Sequence, residues 1–561
     1  MFNNILLIFN KKIKKDAIVI IFLLFLASLM EGISLGATLP ILKYIFSSDI
    51  QSENFKFLNE IIKFIDIKYL LLVYFAIFIL KNFINIFISW KQASFVAELK
   101  FYLSKKFILG YLGLEYQDYK KKNSADLIRN ITSEIGNFSG AIQNIIGLIL
   151  EFLTLVIIIS ILFFYNKFIT LIVFVSFFSF SLLYLIFFKK FLKKIGSLTV
   201  HYSAEVIKDI QNCFLNFKII KLLANPNIFA DNFLLKNNKL INSLKLLAFI
   251  QSLTKQWLEI FIISIFTLIF FLMSNDYYQI DILALTLFFI AALKIMPSIN
   301  RIINYLQKLK FLNATIKAIF KECYLFDKNN YNLNKNLEEI SLSLNFNDDL
   351  IIKNLDFSYN KDRKIIEKLN LTIKNSSLLC IVGKSGSGKT TLVELICGLI
   401  DPINGEISLG KKNIFQNRKI WQREIAYVPQ KTHLIEDTIE KNILFTSNEK
   451  NFDINKFNSI LDMCSLKDFV DSLENGAKTI LNEQAMNISG GQAQRIGIAR
   501  ALYQNSKILI FDEAFNALDQ YLAKTIISNI KKNFYNKKII IISHEKSIKE
   551  VADQILNLDE L

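Results

Sequence analysis

Six runs of mostly apolar residues constrain the first half of this chain more than any other feature. The core of a bilayer is ~30 Å thick, so a helix needs ~20 apolar residues to cross it. Inside lipid every backbone N–H and C=O must find a partner within the protein, which selects helices for such runs. The runs cover roughly residues 17–46, 68–90, 142–165, 168–188, 257–275 and 280–305. The sequence therefore predicts a helical domain with six membrane spans.

Lysines cluster on one predicted side of these spans. They precede span 1, occupy the connection between spans 2 and 3, and follow span 4, at Lys11, Lys12, Lys14, Lys15, Lys100, Lys105, Lys106, Lys120, Lys121, Lys122, Lys189, Lys190, Lys193 and Lys194. The positive-inside rule places this side in the cytoplasm. The connection Ser47–Ile67 then faces outwards, and both termini and the second half are cytosolic. We expect a multi-pass protein of a bacterial inner (cytoplasmic) membrane.

The net charge of +17 does not by itself indicate a nucleic-acid partner. Much of the lysine lies beside the apolar runs, where anionic lipid accounts for it. Membrane lipid is therefore the expected partner, and nucleic acid is not. The five cysteines show no metal-ligand spacing, which favours free thiols in a reducing compartment.

The apolar excess ends near residue 325. We interpret 1–325 as the transmembrane domain with its cytosolic extensions, 326–340 as an Asn- and Lys-rich linker, and 341–561 as a soluble α/β domain. No internal repeat is present in the sequence, so each chain holds one membrane half and one soluble half.

The soluble half contains a phosphate-binding loop. Gly383, Lys384, Ser385, Gly386, Ser387, Gly388, Lys389 and Thr390 form the pattern G-x-x-x-x-G-K-[ST], between an apolar strand-like run and a helix-like run. Such a loop aims several backbone N–H groups at one phosphate at the start of a helix. Lys389 is expected to reach the β- and γ-phosphates of ATP, and the Thr390 hydroxyl to hold Mg²⁺. Thr391 is a further expected ATP contact.

Two further motifs carry chemistry. A four-residue apolar run ends in Asp512 and Glu513, which suit binding Mg²⁺ and polarising the attacking water, respectively. A second anion-binding helix start is predicted at Ser489, Gly490, Gly491 and Gln492. If it does not face the P-loop within one domain, a second copy of the chain must supply the partner.

This ordered set of motifs resembles the ABC transporters of the exporter type, in which membrane and ATPase halves are fused, and the resemblance covers essentially the full length. It implies a six-helix α-helical transmembrane domain followed by an α/β P-loop ATPase domain. It also implies ATP and Mg²⁺ as cofactors and ATP hydrolysis coupled to transport across the membrane.

The resemblance assigns further roles. Tyr359 resembles the aromatic residue that stacks on adenine, Gln430 matches the Q-loop residue that serves Mg²⁺ and catalysis, and His544 matches the switch histidine. Ala517–Asp519 matches the D-loop, and 479–487 resembles the X-loop with Glu483 as its acid. The departures are Gln484, Ile488, Phe515, Asn516 and Glu545. None removes a catalytic group, so Glu513, His544 and Gln430 are expected to form a competent hydrolytic set.

The family's head-to-tail arrangement implies a homodimer with two equivalent ATP sites. Each site would combine the P-loop of one chain with Ser489, Gly490 and Gly491 of the other. The segments 116–131 and 204–225 match the positions of the family's coupling helices, which would transmit ATP-driven motion to the membrane half; solvated connecting helices are the alternative.

Charged residues inside predicted spans mark candidate cargo contacts. Arg301, Lys294 and Lys81 are the candidates for a substrate cavity, with an ion-paired residue near a helix end as the alternative for each. Residues 295–303 resemble the end of span 6 in bacterial lipid-linked oligosaccharide flippases of the PglK type. A pyrophosphate-linked cargo would need a cation such as Arg301.

Other cargo and other classes of protein stay open at this point. An exporter of peptides, drugs or a lipopolysaccharide precursor would carry the same ATPase motifs. A soluble ABC ATPase would lack the six spans, and an importer would keep its membrane and ATPase halves on separate chains.

Overall fold

The computed structural model describes residues 8–41, 66–165, 167–274, 282–328, 344–359, 364–445, 452–482 and 488–560. The chain divides into two compact units, Met1–Leu114 with Asp118–Asn334 and Glu115–Gln117 with Lys335–Leu561. Most of the predicted linker 326–340 lies outside the described residues. So do residues 47–65 of the predicted outer connection, and Glu483 and Gln484 of the predicted X-loop.

The described part of the first unit is helical. Its helices are α1 (Lys11–Gly36), α2 (Ile67–Leu112), α3 (Tyr116–Lys120), α4 (Ser124–Arg129), α5 (Ile135–Tyr165), α6 (Lys167–Leu215), α7 (Phe217–Leu222), α8 (Pro226–Ser274), α9 (Ile282–Phe311) and α10 (Asn313–Lys328). Six of these, α1, α2, α5, α6, α8 and α9, each overlap one predicted span. The prediction of a helical transmembrane domain is confirmed.

Length and composition identify membrane-crossing segments among the described residues. Five helical segments qualify, at Lys11–Ile41, Ile67–Leu112, Ser124–Phe164, Phe174–Leu215 and Pro226–Ser264, with mean hydropathies from 1.3 to 2.9. The sixth predicted span coincides with α9, whose first side chains lie outside the described part. Large apolar side chains such as Phe22, Leu72 and Phe187 are exposed, as expected for helices whose outer faces contact lipid.

Several helices run far beyond a bilayer's thickness. With 46 residues, α2 is ~69 Å long at a rise of 1.5 Å per residue, more than twice the hydrocarbon thickness. The predicted spans are therefore only parts of longer helices, because polar residues continue the same backbone hydrogen bonds outside lipid.

The predicted coupling segments are not single helices. Segment 116–131 forms α3, α4 and the start of a π-helical turn at Asn130–Glu134. Segment 204–225 holds the end of α6 and the short α7. In the first segment, the side chain of Asn123 caps α4 by accepting from Ala125 N at 3.0 Å, so a new helix begins at Ser124.

The second unit combines two sheets with helices. Its strands are β1 (Leu350–Phe357), β2 (Ile366–Ile373), β3 (Leu378–Val382), β4 (Asn404–Leu409), β5 (Lys412–Asn413), β6 (Ile425–Val428), β7 (Ile508–Asp512), β8 (Lys538–Ile542) and β9 (Gln554–Asn557). Its helices are α11 (Lys389–Ile396), α12 (Arg418–Arg423), α13 (Ile439–Leu444), α14 (Ile454–Met463), α15 (Lys467–Asp471), α16 (Gly490–Tyr503), α17 (Gln520–Asn533) and α18 (Lys546–Val551). The prediction of an α/β domain is confirmed.

A five-stranded parallel sheet of order β6-β7-β8-β3-β9 forms the centre of this unit, and an antiparallel sheet of order β2-β1-β4-β5 forms the other layer. Every residue of β3, β7 and β8 is buried. Continuous apolar runs of this kind are typical of parallel strands covered on both faces. The carboxyl ends of β3, β6, β7 and β8 consequently meet at one edge of the sheet.

Candidate functional site

The strand register gathers the predicted catalytic segments at that edge. Asp512 pairs with Ile542, and Ile542 pairs with Ile381 one strand further on. On the other side of β7, Val428 pairs with Phe511. The P-loop after β3, Asp512 and Glu513 at the end of β7, His544 after β8 and Gln430 after β6 therefore belong to neighbouring strand ends.

Two glycines allow the P-loop to turn tightly into α11. Gly386 and Gly388 have φ values of +84° and +95°, in the left-handed region that glycine adopts without strain. At Gly388 a Cβ atom would also lie 2.8 Å from the Ile365 side chain. The loop conformation therefore requires glycine at this position.

The interior of the loop has the features of a phosphate site. The Lys389 ammonium donates to the carbonyl oxygens of Gly383, at 2.6 Å, and Lys384, at 2.9 Å. The Ser387 hydroxyl is buried and has no hydrogen-bond partner among the described residues. A buried, unpartnered hydroxyl beside a lysine and a helix start fits the phosphates of ATP.

The flanks of the loop differ in exposure. Lys384 and Ser385 are exposed, and the Lys384 backbone N–H donates to the Asp559 carboxylate at 2.9 and 3.0 Å. Thr390 is exposed, whereas Thr391 is buried. The exposed Thr390 hydroxyl is free to bind a metal ion.

Asp512 is a buried carboxylate that suits a divalent cation. Burial raises the pKa of Asp512, and the neighbouring Glu513 and Glu394 carboxylates raise it further. The Tyr427 hydroxyl donates to Asp512 Oδ2 at 3.0 Å, which opposes the shift in the pKa of Asp512. A carboxylate whose charge is disfavoured by its surroundings, near an exposed hydroxyl, provides the oxygen ligands that Mg²⁺ prefers.

Two amides orient the carboxylate of Glu513. Glu513 has a φ of +51°, which is uncommon for a residue other than glycine and is found at functional sites. Gln430 Nε2 donates to Glu513 Oε2 at 2.7 Å, and Asn516 Nδ2 donates to the same oxygen at 3.1 Å. The Gln430 side-chain oxygen remains available as a metal ligand.

Asn516 was missed as a functional residue by sequence reasoning. It was noted only as a departure from the family pattern, yet its amide contacts the predicted catalytic acid. The signal available in the sequence was its spacing, since the turn after β7 brings a residue three positions on back to Glu513, as the hydrogen bond from Asn516 N to Glu513 O at 3.2 Å shows.

His544 is exposed and makes no hydrogen bond to another described residue. The structure thus places it at the correct edge of the sheet but does not bring it into contact with Glu513.

The predicted adenine-stacking residue is anchored by a carboxylate that sequence reasoning missed. The Tyr359 hydroxyl donates to Glu394 Oε2 at 3.0 Å, and its ring packs edge-on against Phe357. Tyr116, which groups with the second unit, donates to Glu394 Oε1 at 3.3 Å. Glu394 is one helical turn beyond Thr391 on α11, so its position next to the P-loop helix was the available signal.

The second anion-binding helix start is well formed. Ser489 is the N-cap of α16, its hydroxyl accepts from Gln492 N at 3.1 Å, and the Gln492 side chain accepts from Ser489 N at 2.7 Å. This is a reciprocal capping box. These hydrogen bonds stay within the turn, and none reaches the P-loop in the part of the chain that the structure describes.

The two glycines of this turn differ in what surrounds them. A Cβ at Gly491 would lie 3.1 Å from the carbonyl oxygen of Ala517, whereas a Cβ at Gly490 would meet nothing within 4 Å. The described part of the chain therefore gives no reason for glycine at position 490.

The predicted cargo-binding cations are ion-paired in the first unit. Lys81 and Lys294 lie 2.9 and 3.4 Å from the Glu31 carboxylate. Arg301 makes a bidentate contact with Glu151, at 2.5 Å from Nε and 3.1 Å from one terminal nitrogen. Lys294 and Arg301 line a cavity of about 420 Å³, together with both carboxylates.

Comparison with known proteins gives matches to both halves. Residues 366–516 match the ABC transporter family. The chain is 29% identical to a putative export ATP-binding/permease protein of Rickettsia typhi over 463 residues, which cover 80% of this chain and 77% of that protein. It is 35% identical over 212 residues to the ATP-dependent lipid A-core flippase of Pasteurella multocida, covering 37% of this chain and 36% of the flippase.

A solved structure shares the whole architecture. A bacterial Atm1-family ABC exporter with ATP bound superimposes with a TM-score of 0.74, covering 98% of this chain and 94% of the other, at 17% sequence identity. The likeness extends over both units and establishes the fold.

Proposed function

We propose that this chain, which has the fold of an ABC exporter, couples ATP hydrolysis to transport, and that two copies flip a lipid-linked oligosaccharide from the inner to the outer leaflet. The observation that carries this proposal is the cavity of the helical unit, where Lys294 and Arg301 lie among membrane-spanning helices. Charges inside such helices are costly and mark the paths of substrates or ions. An anionic headgroup on an apolar anchor would find two cations, Lys294 and Arg301, in a cavity within the bilayer.

The ATPase roles follow from the geometry at the edge of the parallel sheet. Bound ATP with Mg²⁺ would supply the phosphoryl group that is transferred to water. The P-loop and Lys389 bind phosphates, and Thr390, Asp512 and the Gln430 side-chain oxygen are the proposed metal ligands. Glu513, held by two amides, orients and polarises the attacking water. His544 is proposed to approach once the site is loaded.

The turn at Gly490 supports the proposed homodimer. Because nothing in the described chain approaches within 4 Å of a Cβ at this position, a group from outside the chain supplies the reason for a glycine. The P-loop-bound ATP of a second copy is such a group, and its phosphates would face the N-terminus of α16. Tyr359 is proposed to stack on the adenine of the ATP held by its own P-loop.

The proposed setting is a bacterial inner membrane with both termini in the cytosol. The lysines that flank the helices support this orientation, and a cytosolic ATPase unit has access to ATP.

A second cargo has support of its own. One similar protein is an ATP-dependent lipid A-core flippase, so a lipopolysaccharide precursor is the alternative. Another, 34% identical over 260 residues, is a lactococcin-G-processing and transport protein of Lactococcus lactis, which keeps peptides among the candidates. The same ATPase unit could drive the transport of any of the three cargoes.

Transport into proteoliposomes distinguishes these cargoes. Purified protein would be reconstituted with fluorescent lipid-linked oligosaccharide, and ATP-dependent loss of quenching by an external reductant would be followed. We expect translocation with ATP and none with the Glu513→Gln variant. Translocation of lipid A precursor or of peptide, with no movement of the oligosaccharide lipid, would replace the proposed cargo.

A further inference from the structure

Four helices enclose the 420 Å³ cavity of the first unit. From α9 it takes Lys294, Pro297, Ser298 and Arg301, which are spaced i, i+3, i+4, i+7 and so form one continuous stripe of the helix. Helices α1 and α5 contribute the carboxylates Glu31 and Glu151. This wall of the cavity is charged, and its volume is in the range of ~300–1,000 Å³ that is usual for ligand sites.

Helix α2 contributes side chains to the cavity that are uncharged and mostly polar. Asn85, Ile88, Ser89 and Gln92 line the cavity with the same i, i+3, i+4, i+7 spacing. Among the described residues Asn85, Ser89 and Gln92 make no hydrogen bond, and none of the three is buried. We call these three side chains the α2 stripe.

An unbonded amide is expensive inside a membrane. Asn85 and Ser89 lie within the predicted span 68–90, and Gln92 lies just beyond it. Burying an amide or hydroxyl without a hydrogen bond costs several kcal/mol, roughly 2–7 depending on the reference state. Asn85, which is half-buried at membrane depth, therefore needs a hydrogen-bond partner that water or a polar ligand in the cavity would supply.

The chemistry of the stripe selects a neutral, hydrogen-bonding partner. Amide and hydroxyl groups each donate and accept hydrogen bonds, which matches hydroxyl groups of a ligand better than it matches a bare anion or an alkyl chain. The stripe extends over seven residues, or ~10 Å along the helix, which is long enough for several such contacts.

The two cations of the charged wall have unequal claims on its two carboxylates. Lys294 and Arg301 line the cavity with Glu31 and Glu151, and Lys81, which does not line the cavity, also contacts Glu31. Glu31 has the buried Lys81 as its nearer partner, at 2.9 Å, and the partly exposed Lys294 at 3.4 Å. Glu151 is buried and holds one edge of the half-exposed Arg301 guanidinium, which keeps further N–H donors.

We infer that the α2 stripe recognises the hydroxyl-rich part of a headgroup whose anionic phosphate lies against Lys294 and Arg301. The cavity thereby selects amphiphiles that carry a phosphate next to a polyol or sugar, and discriminates against phosphate lipids that lack hydroxyls. This inference rests on the proposed function in that it places the cargo in this cavity.

Equilibrium binding without ATP tests the inference separately from transport. Full-length protein in phosphatidylcholine nanodiscs would be titrated with dioctanoyl-phosphatidylinositol, which has a phosphate and a ring of hydroxyls, and with dioctanoyl-phosphatidic acid, which has the phosphate alone. The wild type should bind the inositol lipid more tightly. Asn85→Leu and Gln92→Leu should each weaken inositol-lipid binding about 2- to 10-fold, the effect of one hydrogen bond, and leave phosphatidic acid binding unchanged.

Matched controls separate recognition from structure. Asn82→Leu changes the same residue type on the same helix, but Asn82 does not line the cavity and donates to the carbonyl oxygen of Phe78. It should bind both lipids like the wild type. Arg301→Ala should weaken the binding of both lipids, because it removes a contact with the phosphate group that each of them carries.

Two outcomes would overturn the inference. One is equal affinity of the wild type for the two lipids. The other is a loss of binding of both lipids in Asn85→Leu and Gln92→Leu, which would mean that the α2 stripe only supports the packing of the helix. A different result would show that the proposed cargo is wrong while the inference holds. In that case the wild type still binds the inositol lipid more tightly than phosphatidic acid, and this preference still depends on the α2 stripe, but the proteoliposomes move no lipid-linked oligosaccharide.

Discussion

Glu513 shows how a single residue can be held ready for its chemistry. Its backbone has a left-handed φ, and its carboxylate receives hydrogen bonds from Gln430 and Asn516. Neither donor is charged, so the two hydrogen bonds fix the direction of the carboxylate without pairing it with a cation. This is the state that a group acting on a water molecule requires.

Replacing Glu513 by glutamine should abolish turnover without abolishing ATP binding. General acid–base groups contribute ~10²- to 10⁴-fold to rates, so we expect a decrease of kcat of about that size. Steady-state ATPase assays and titration with a fluorescent ATP analogue would measure the two properties. Wild-type turnover in Glu513→Gln would contradict the assignment, and Tyr535→Phe, a change at a highly exposed position outside the motifs, should keep most activity.

Lys537 provides a prediction about stability and pH. Burial lowers the pKa of its ammonium to about 8, with help from the positive charges of Lys456 and Lys507. In the unfolded chain the pKa would be ~10.4. Between these values the unfolded state binds more protons than the folded state, so Lys537 makes the free energy of unfolding rise with pH in this interval.

The Lys537→Met variant should therefore melt at a higher temperature near neutral pH. Methionine fills the same apolar space without a charge, and a gain of ~2–4 °C per kcal/mol is usual for a domain of this size. The gain should shrink as the pH approaches ~10. Thermal unfolding followed by circular dichroism measures it, with the exposed Lys532→Met as a control; a lower melting temperature at neutral pH would refute the prediction.

At the scale of elements, helix starts carry most of the predicted ATP chemistry. α11 begins at the P-loop and α16 begins at a capping box. In α16 the Ser489 hydroxyl accepts a hydrogen bond from the Gln492 backbone N–H, and the Gln492 side chain accepts one from the Ser489 backbone N–H. The remaining N–H groups of the first turn are left for an external anion.

Gly490→Ala tests that element directly. Because nothing lies within 4 Å of the added methyl group, and because alanine is favoured over glycine in a helix by up to ~1 kcal/mol, the variant should fold at least as stably as the wild type. ATPase activity should nevertheless fall at least about tenfold, equivalent to ~1.4 kcal/mol, since the methyl group would meet the ATP of the second copy.

Gly491→Ala is the contrasting variant, because its methyl group would press on the Ala517 carbonyl oxygen. It should lose stability as well as activity. Melting curves and ATPase rates of both variants give the comparison. Full activity in a stable Gly490→Ala protein would argue against an ATP sandwiched at this turn.

At the scale of the whole molecule, each chain holds one P-loop and one second anion-binding helix start, at Ser489–Gln492. In the proposed dimer, ATP lies between the P-loop of one chain and this helix start of the other. Cysteine cross-linking can detect the arrangement, because Cys323, Cys380, Cys397 and Cys464 are buried and only Cys213 is partly exposed. Ser385 and Ser489 are both exposed. A Cys213→Ser background therefore leaves introduced cysteines as the accessible thiols among these positions.

A chain with Ser385→Cys co-expressed with a differently tagged chain with Ser489→Cys should form a mixed cross-link with a short bismaleimide when ATP is present. The product should be scarce without nucleotide, because ATP is what joins the two surfaces. Tyr535→Cys, at a highly exposed position outside both motifs, replaces Ser489→Cys in the control. Equal yields with either partner chain would speak against the head-to-tail dimer.

Sequence patterns predicted the features that depend on one contiguous stretch of the chain. Six apolar runs predicted the long helices, and the P-loop and the Asp512–Glu513 strand end were recognisable because strand, turn and helix signals are contiguous there. The full length of the helices was not predicted, since polar extensions such as the end of α2 continue the same hydrogen bonding outside lipid. The coupling role of 116–131 and 204–225 stays a prediction, and a side-chain cap divides the first of these segments.

Contacts between distant segments could not be predicted in the same way. The Gln430–Glu513 hydrogen bond depends on β6 lying beside β7, and the Arg301–Glu151 pair joins residues 150 positions apart. Strand order and helix neighbours are set by packing of the whole unit, which no short stretch of sequence encodes. For this reason the sequence could offer ion pairing only as an alternative for each cation and could not name the partners, Glu31 and Glu151.

The Glu31–Lys81 pair has a consequence for how the protein is made. A charged residue in the centre of a lone membrane helix costs ~2.5–3.5 kcal/mol on insertion scales. Glu31 and Lys81 lie on α1 and α2, so these two helices can enter the membrane as a hairpin with the carboxylate already neutralised. Glu151, on α5, meets Arg301 only after α9 has been made. Biogenesis of the domain is thereby divided into an early hairpin and a late closing step.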